Sequence, residues 1–474
     1  MLMQPNYAIL GKRSWNMAPY GLAILNACIK SKYDVHLYDP NFENIDETQI
    51  RKHLYDINPD VVGITTFSTE YKKEIEYYTA LIKGVLPKAI VIVGGTLPTV
   101  MIDKIIDDPN VDYYVLGEGE YRLLALLDAL NNSTNSQIKL DGIAFKDKDT
   151  AIINYPTCFI ENLDNIPFPD YGNLDFSAYG RYKFKYAHGL IPKQFPFATT
   201  ITSRGCPFKC SFCAAKTVSG KKVRMRSAEN VLKEIDKLYF DYSIREIIFV
   251  DDHFLFNRKR AIDIMQGIID RNYGITWKCV NVAVFSLSYQ ILELMKKSGC
   301  YQLTLSIESG DEYVLKNLIK KPVNLKKAQE VVKQAKTLGF EVISNFVFGF
   351  PGETWYQIRK TIAYAESLDL DLVNFHIATP LPKTELMEIC ISEGLIESED
   401  DIAGYTHGAI TTSEFSKTEL QILRSFEWDR INFKNQTDIE KIARIEGVSV
   451  NEVEEWRKTT RRNLGSTVNW YSKK

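Results

Sequence analysis

The stretch ATTITSRGCPFKCSFC, residues 198–213, places a run rich in threonine and isoleucine directly before three cysteines in the spacing CxxxCxxC. β-Branched residues in a short run predict a β-strand, and the glycine and proline that flank Cys206 are typical of a turn. The three cysteines are therefore expected on a loop at the carboxyl end of a strand. The surrounding sequence must show which fold presents this loop.

Five further strand candidates follow the loop, and a helical pattern separates each from the next. The strand candidates are REIIFVDD, WKCVNV, YQLTLSIE, EVISNFVF and LVNFHIA. The helices include AENVLKEIDKLYF, with Ser227 as N-cap, and two that end on a glycine, QILELMKKSG and KAQEVVKQAKTLG. Because repeated right-handed crossovers curl a parallel sheet, six such units predict a partial (β/α)6 TIM-like barrel over residues 193–392. Barrel active sites lie at the carboxyl ends of the strands, where the cysteine loop falls.

The N-terminal part, residues 1–140, has the pattern of a doubly wound, Rossmann-like α/β domain. The apolar runs VHLYDP, VVGITT, AIVIVGG and YYVLGE alternate with amphipathic helices, as expected for parallel strands buried on both faces. Residues 141–192 are predicted to form a β-hairpin, GIAFKDKDTAIIN, followed by a proline- and aromatic-rich linker. Residues 393–474 are predicted to form a helical cap.

The composition is that of an ordinary soluble globular chain. The 58 Lys and Arg residues nearly balance the 60 Asp and Glu residues, for a net charge of -2 over 474 residues. This balance gives no global reason to expect nucleic acid or anionic lipid as a partner. The chain shows no signal-peptide pattern and no apolar run near the roughly 20 residues of a membrane span. We therefore expect a cytoplasmic protein with reduced cysteines. The five cysteines outside the loop are expected to be buried singly: Cys28, Cys158, Cys279, Cys300 and Cys390.

Three thiols on one short loop favour an iron–sulfur cubane over zinc. A structural zinc site uses four ligands, usually in two pairs a dozen or more residues apart. This chain has no second pair, and the nearest histidines, His188 and His253, are isolated. In a [4Fe–4S] cluster each thiolate can hold one iron, and three thiolates leave the fourth iron open. Zinc completed by an isolated fourth residue stays the alternative.

The segment CPFKCSFC resembles the CxxxCxφC signature of the radical S-adenosylmethionine (SAM) superfamily, with Phe212 as the aromatic residue φ. The resemblance implies a [4Fe–4S] cluster on Cys206, Cys210 and Cys213, whose open iron binds the amino and carboxylate groups of SAM. In that family, reductive cleavage of SAM gives a 5'-deoxyadenosyl radical, which abstracts hydrogen from the substrate. The protein contributes positioning, access for electrons and a dry cavity. No catalytic side chain can be assigned.

Later strand ends resemble the motifs with which this family holds SAM. VDDHF offers carboxylates near the methionyl ammonium, SIESG offers polar groups to the ribose and methionyl part, and GFPGE lets backbone approach the adenosyl group. The backbone of the sixth strand is expected to face adenine. Each feature could otherwise be an ordinary strand end or turn. The implied SAM-binding residues are Phe212, Asp251, Asp252, Ser306, Glu308, Gly349, Gly352, His376 and Ile377.

The N-terminal domain resembles the cobalamin-binding domain that precedes many radical SAM barrels, from APYGLAIL to VDYYVLGEGE. Its ligand crevice is expected at the carboxyl ends of the parallel strands. A Rossmann-like domain that keeps the fold without the cofactor is the alternative. The implied cobalamin-binding residues are Phe67, Ser68, Gly94, Gly95, Thr96, Gly117, Glu118 and Gly119.

The lower cobalt ligand is where this chain departs from the family pattern. The DxHxxG motif is missing, and Leu97 stands where a histidine often follows the paired glycines. We therefore expect no protein histidine on cobalt. The lower face is expected to be vacant, water-bound or covered by a side chain such as Phe67 or Tyr71.

Two charged segments have competing interpretations. IEKIARIEGVSVNEVEEWRK has the spacing of a helix-turn-helix, but Glu452, Glu454 and Glu455 on its second helix would repel phosphates. We therefore predict a lid or cap and no binding to nucleic acid. The basic run SGKKVRMR, residues 219–226, is predicted to be a solvated loop, with an anionic substrate or cofactor phosphate as the alternative.

Three functions are compatible with the sequence. The favoured one is a cobalamin-dependent radical SAM enzyme that methylates an unactivated carbon, or phosphorus, of a small-molecule or natural-product substrate. The second is a radical SAM cyclase, oxidase or rearrangement enzyme resembling the anaerobic porphyrin cyclases. The third is a metal-binding regulator that uses its C-terminal helices on DNA. A tRNA methylthiotransferase is disfavoured, because the N-terminal domain offers only Cys28 where a second cluster needs three thiolates. An electron donor such as flavodoxin or ferredoxin is the expected protein partner.

Overall fold

The computed structural model describes residues 1–10, 17–41, 45–132, 139–180, 190–398 and 407–468. Parts of the predicted linker (181–189) and of the predicted C-terminal cap (399–406 and 469–474) lie outside the described residues. The contacts divide the chain into two units. The first comprises Met1–Ala187, Phe195–Cys206 and Ala215–Ile244, and the second comprises His188–Gln194, Pro207–Ala214 and Arg245–Lys474. The four-part division expected from the sequence stays a prediction.

The first unit contains a seven-stranded sheet in the order β2-β1-β3-β4-β5-β6-β7. Strands β1 to β5 run parallel, and β6 and β7 form an antiparallel hairpin at one edge. The predicted hairpin is confirmed, with Lys148 in its turn. The strands are β1 (Leu2–Met3), β2 (Leu37–Tyr38), β3 (Val61–Thr66), β4 (Ile90–Gly95), β5 (Tyr113–Val115), β6 (Ile143–Asp147) and β7 (Thr150–Ile153).

Helices cover both faces of this sheet, which confirms the doubly wound fold. Along β4, Val91 and Val93 belong to one hydrophobic cluster, whereas Ile92 belongs to the other. Successive side chains of a strand point to opposite faces, so each face carries its own core. The helices are α1 (Tyr20–Ile29), α2 (Glu47–Ile57), α3 (Lys72–Val85), α4 (Thr96–Ile105) and α5 (Glu120–Asn131).

The first unit also includes the elements around the cysteine loop. Strands β9 and β10 pair antiparallel, with Arg204 opposite Arg224. Helix α7 begins after Ser227, whose side chain accepts a hydrogen bond from the amide of Asn230, as predicted for an N-cap. These elements are β8 (Phe197–Thr200), β9 (Ser203–Arg204), α6 (Ala215–Val218), β10 (Arg224–Met225) and α7 (Ala228–Asp241).

The second unit contains parallel strands that neighbour one another in chain order, from β11 to β15. Together with β8, all six predicted barrel strands are present. The elements are α8 (Arg258–Arg271), α9 (Tyr289–Lys297), α10 (Leu325–Thr337), α11 (Trp355–Ser367) and α12 (Glu385–Ser392), and the strands are β11 (Glu246–Phe249), β12 (Thr276–Val282), β13 (Cys300–Glu308), β14 (Glu341–Phe348) and β15 (Leu372–Ile377).

Single helical turns occupy several of the connections. Those of the 3-10 type are Tyr7–Leu10, Thr69–Tyr71, Leu163–Asn165, Phe176–Gly180 and Val284–Ser286, and Val314–Ile319 is a π-helix.

The C-terminal helices pack on the edge strand β15, which confirms a helical C-terminus. They are α13 (Lys417–Asn432), α14 (Gln436–Ile445) and α15 (Val450–Val468). Asn432 accepts a hydrogen bond from the amide of Val373 and donates one to its carbonyl, both at 2.8 Å. Ala443 and Val453, which carry the helix-turn-helix spacing, lie in one apolar cluster with Ile343 and Leu372. In the described part of the chain, the helices are too short or too polar to cross a membrane.

Candidate functional site

The amino-terminal side of the cysteine loop is held by backbone geometry. Gly205 has φ +93°, and a Cβ built on it would lie 2.4 Å from the carbonyl oxygen of Lys222. Only glycine satisfies both constraints. The amide of Cys206 donates to the carbonyl of Gly220 at 3.1 Å. The first cysteine is therefore fixed against the turn that precedes β10.

The carboxyl-terminal side of the loop is held by Ser211. Its hydroxyl donates to the carbonyl of Leu318 at 2.6 Å, and its amide donates to the carbonyl of Ile319 at 3.0 Å. Its own carbonyl accepts the amide of Leu386 at 2.9 Å. Ser211 thus ties the loop to the π-helix after β13 and to α12.

The cysteines divide by exposure. Cys206, Cys210 and Cys213 are half-buried and form no disulfide. Burial raises the pKa of Cys300 well above its ordinary value, so that thiol stays protonated. The expectation that all five isolated cysteines are buried is wrong for two of them. Cys158 is exposed and Cys28 is half-buried.

Aromatic side chains of the loop pack on the strand ends of the second unit. Phe212 lies 5.9 Å from Phe350, between ring centroids, in the turn after β14. Phe208 lies 6.0 Å from the ring of His253 and 5.1 Å from that of Phe285. Burial, followed by the field of nearby Lys321, lowers the pKa of His253, so this ring is neutral at pH 7. The loop is anchored by packing as well as by hydrogen bonds.

The residues expected to bind SAM in the second unit follow neighbouring strands at the same edge of the sheet. Ser306 donates to Asn281 Oδ1 at 3.1 Å. Glu308 has φ +71° and accepts a hydrogen bond from Lys321 Nζ at 2.6 Å. Asp251 is buried and Asp252 is exposed, and His376 and Ile377 end β15. Lys321 was not expected from the sequence, because nothing in its run of lysines marks which one turns inward.

Glu353 is a second residue that the sequence interpretation missed. Its Oε2 accepts the amides of Gly349 at 2.6 Å and Phe350 at 3.0 Å, which closes the turn after β14. Its Oε1 has no hydrogen-bond partner among the described residues, and the side chain is buried. Burial raises the pKa of Glu353 to about 8. The quoted GFPGE motif contains this residue, so the signal was present.

Gly349 packs closely against a helix of the protein. It has φ +91°, and a Cβ on it would lie 2.5 Å from Leu420 Cδ1 of α13. The backbone needs glycine because a protein helix packs against it. Close approach to an adenosyl group stays a prediction.

The residues expected to bind cobalamin lie at the carboxyl ends of β3, β4 and β5. These strands are adjacent, so their loops share one edge of the sheet. Thr99 connects two of the loops, since its hydroxyl donates to the carbonyl of Gly95 at 2.7 Å and accepts the amide of Gly117 at 2.8 Å. Gly94, Gly95 and Thr96 are half-buried, which leaves surface for a ligand.

Aromatic rings border this edge. Tyr71 stacks on Tyr7 with ring centroids 3.9 Å apart and is 2% exposed. Phe67 is half-buried, packs edge-on against Tyr7 and follows β3 directly. Of the two side chains expected to cover the lower face of a corrin, only Phe67 has an accessible ring.

Glu118 belongs to a buried charge cluster, which we call the arginine–glutamate bridge: Glu118, Glu120, Arg204 and Arg224. Glu118 accepts hydrogen bonds from Arg224 at 2.7 and 3.0 Å and from Arg204 at 3.0 Å, and Arg204 also donates to Glu120 at 2.5 Å. Burial alone would raise the pKa of Glu118, but the guanidinium of Arg204 and the hydrogen bonds hold it below its ordinary value. The carboxylate is ionised.

The bridge corrects the interpretation of the basic run at residues 219–226. Arg224 is 4% exposed and Arg226 is 7% exposed. Arg226 pairs with the buried Glu234 at 2.6 Å. The prediction of a solvated loop is therefore wrong for both arginines, because their charges are neutralised inside the protein.

Fold and site together show a doubly wound domain, a set of parallel strands alternating with helices, and a loop with three half-buried thiols after the first of these strands. Among the described residues, no three His, Cys, Asp or Glu side chains converge as a site for one metal ion.

Comparison with known proteins gives the family. The model of the radical SAM superfamily matches residues 200–365, and that of the B12 binding domain matches residues 8–127. An uncharacterized methyltransferase of Pyrococcus horikoshii is 34% identical over 382 residues, which cover 80% of this chain and 79% of the relative. The chain therefore belongs to the radical SAM superfamily, in the group with an N-terminal B12-binding domain, and it is an enzyme. Its cofactors are a [4Fe–4S] cluster, SAM and cobalamin.

More distant relatives differ in activity. The cytidylyl-2-hydroxyethylphosphonate methyltransferase of Streptomyces wedmorensis is 28% identical over 423 residues, covering 82% of this chain and 78% of the relative. The anaerobic magnesium-protoporphyrin IX monomethyl ester cyclase of Rubrivivax gelatinosus is 27% identical over 398 residues, covering 82% and 69%. The solved radical SAM methyltransferase TsrM from Kitasatospora setae shares the fold at a TM-score of 0.70 and 17% identity, covering 88% of this chain and 79% of that one.

Proposed function

We propose that the chain is a cobalamin-dependent radical SAM methyltransferase whose acceptor is an unactivated carbon, or phosphorus, of a small molecule or natural product. The observation that carries the proposal is the pairing of a B12-binding domain with a radical SAM barrel over a length shared with two methyltransferases. A chain that carries both a methyl-carrier domain and a radical-generating domain has a direct use for the two in methyl transfer.

The side chains present fit these cofactors. Three half-buried thiols on one braced loop suit a cluster that needs one thiolate on each of three irons. Half-buried loop residues at one sheet edge suit a large ligand in the crevice of a doubly wound sheet. When bound, the cluster and SAM supply the radical and cobalamin carries the methyl group.

The chain's own groups position SAM. Glu308 and Ser306 present a carboxylate and a hydroxyl at the end of β13, where they can accept hydrogen bonds from ribose hydroxyls or an ammonium group. Lys321 keeps Glu308 paired and oriented. Glu353 fixes the turn that carries Phe350, and Phe350 packs on Phe212 in the cysteine loop.

Of the two aromatic residues, Phe67 would contact a bound corrin, because it is half-buried whereas Tyr71 stacks on Tyr7 and is 2% exposed. A phenyl ring there would leave the lower face of cobalt without a protein nitrogen. This arrangement predicts a corrin spectrum that lacks the signature of histidine ligation.

The cluster would need an external one-electron donor, and we propose a protein such as flavodoxin or ferredoxin. Because its thiols must stay reduced, we place the enzyme in the cytoplasm.

Anaerobic reconstitution with iron, sulfide and hydroxocobalamin tests the proposal. We expect four irons and one corrin per chain, 5'-deoxyadenosine on reduction with SAM, and label from methyl-labelled SAM on the corrin. A triple variant, Cys206→Ala, Cys210→Ala and Cys213→Ala, should lose iron and 5'-deoxyadenosine, whereas Cys158→Ala should keep both. Iron-free protein that still forms 5'-deoxyadenosine would contradict the site.

A cyclase is the second candidate, favoured by 27% identity to the Rubrivivax gelatinosus enzyme. It predicts 5'-deoxyadenosine without transfer of the labelled methyl group to the corrin. The same assay therefore separates the two functions.

A further inference from the structure

The arginine–glutamate bridge joins two loops that the proposed function uses separately. Glu118 lies between Gly117 and Gly119, in the loop after β5 that is expected to contact cobalamin. Only Gly205 separates Arg204 from Cys206. Its positive φ and its close contact with backbone exclude any residue other than glycine. Arg204 and Arg224 both pair with Glu118. The arginine–glutamate bridge therefore connects the loop after β5, which we call the corrin loop, to the cysteine loop.

The bridge holds Cys206 from both sides. On one side Arg204 precedes it in β9. On the other, Arg224 donates to the carbonyl of Ser219 at 2.8 Å, and the adjacent carbonyl of Gly220 accepts the amide of Cys206. Arg224 also donates to the carbonyl of Ile160, while the amide of Ile160 donates to Glu118 Oε2 at 2.6 Å.

Because its side chains are largely buried, the arginine–glutamate bridge resists rearrangement. The exposed fractions of the side chains are 2% for Arg224, 6% for Glu118, 7% for Glu120 and 18% for Arg204. A buried ion pair is costly to separate, because each charge left alone lacks both water and a partner. A shift of the loop after β5 must therefore carry the arginines with it or break several charged hydrogen bonds.

We propose that Glu118 and Glu120 are positioning residues that couple occupancy of the corrin loop to the placement of Cys206. The inference rests on the proposed function, since it assigns the corrin to the loop after β5. Glu118 thereby has a different role from the cobalamin contact expected from the sequence. Coupling of this kind is reciprocal: if corrin binding stabilises the placement of Cys206, that placement strengthens corrin binding by the same factor.

The test is hydrogen exchange of the reconstituted full chain, with and without hydroxocobalamin, followed in peptides that cover residues 204–224. In the wild type we expect corrin to slow exchange at the Cys206 amide by about fivefold or more, the lower range of measured couplings. Glu118→Gln keeps the shape and removes the charge, and it should reduce this protection to less than about twofold.

Lys222→Gln is the matched control. Lys222 lies in the same segment, but its pair with Glu161 is exposed, with exposed side-chain fractions of 74% and 68%. This variant should keep wild-type protection. Glu118→Asp should restore part of it, because the charge returns on a shorter side chain.

The outcomes separate this inference from the proposed function. Corrin that binds the wild type without slowing exchange at residues 204–224 overturns the coupling and leaves the cofactor assignment intact. If corrin slows exchange in Glu118→Gln as much as in the wild type, the coupling is overturned as well. Wild type that retains no corrin overturns the cobalamin assignment itself. If Glu118→Gln does not fold, Glu120→Gln, which leaves the pair of Glu118 and Arg224 in place, is held to the same expectation.

Discussion

Replacing Glu353 by glutamine removes the titration of a buried carboxyl while keeping an oxygen that accepts the amides of Gly349 and Phe350. In the folded chain the pKa of Glu353 is about 8, against an ordinary value of 4.5. Burial is the main cause, and the two backbone hydrogen bonds oppose it only in part.

The sign follows from the direction of the shift. A carboxyl whose pKa is raised on folding contributes stability that is complete below about pH 4.5 and is lost as the pH rises through about 8. At roughly 1.4 kcal/mol per pKa unit, the whole contribution is about 5 kcal/mol. Between about pH 6 and pH 8.5 the wild type should lose about 2.5 kcal/mol that the glutamine variant keeps.

Hydrogen exchange at the Gly349 and Phe350 amides measures this locally, once rates are corrected for the intrinsic effect of pH. A local probe is needed because a chain with two units does not unfold in a single two-state step. Glu312→Gln, at an exposed carboxyl of the same unit, is the control. If Glu353→Gln showed the same loss of opening free energy with pH as the wild type, the buried titration would not exist.

Three further outcomes are expected. Asn432→Ala leaves an amide and a carbonyl of β15 unpaired and should lower the opening free energy, measured by hydrogen exchange at the amides of β15, by about 2–4 kcal/mol, against about 1 kcal/mol for the helix-cap control Asn435→Ala; equal losses would refute the role of the side chain. Gly349→Ala should cost about 2 kcal/mol or more in the same assay, because it combines strained φ with a collision. In a Leu420→Ala background the cost of Gly349→Ala should be smaller, because the colliding side chain is gone; an equal cost in both backgrounds contradicts the contact. Lys321→Gln should raise the KM for SAM about tenfold with a smaller change in kcat, which corresponds to about 1.4 kcal/mol, whereas the exposed neighbour variant Lys320→Gln should not; similar values for the two would remove Lys321 from the site.

The strands of both sheets could be predicted because their signals are local. Runs such as VVGITT and YQLTLSIE carry enough apolar and β-branched residues to stand out from the flanking helices. Strand β1 could not be predicted, since two residues at Leu2–Met3 carry no hydrophobic period. It forms because β2 and β3 pair with it on either side.

The site could be predicted where the spacing of residues alone indicates the chemistry, as in the cysteine loop. It was not predictable where a side chain's role depends on a partner far along the chain. In the sequence, Arg224 is one of several cations in a basic run. Its burial depends on the ion pair with Glu118, which lies 106 residues earlier. Lys321 was missed for the same reason, since its partner Glu308 lies 13 residues earlier. Glu353 is different, because its partners Gly349 and Phe350 stand in the same GFPGE motif and the signal was local.

Asn432 offers β15 the amide and carbonyl that a neighbouring strand would otherwise supply. A chain truncated before α13 would expose the outer edge of β15. An exposed strand edge pairs with strands of other chains. Shortened versions made for crystallisation should therefore self-associate, even though the cut falls outside every cofactor motif.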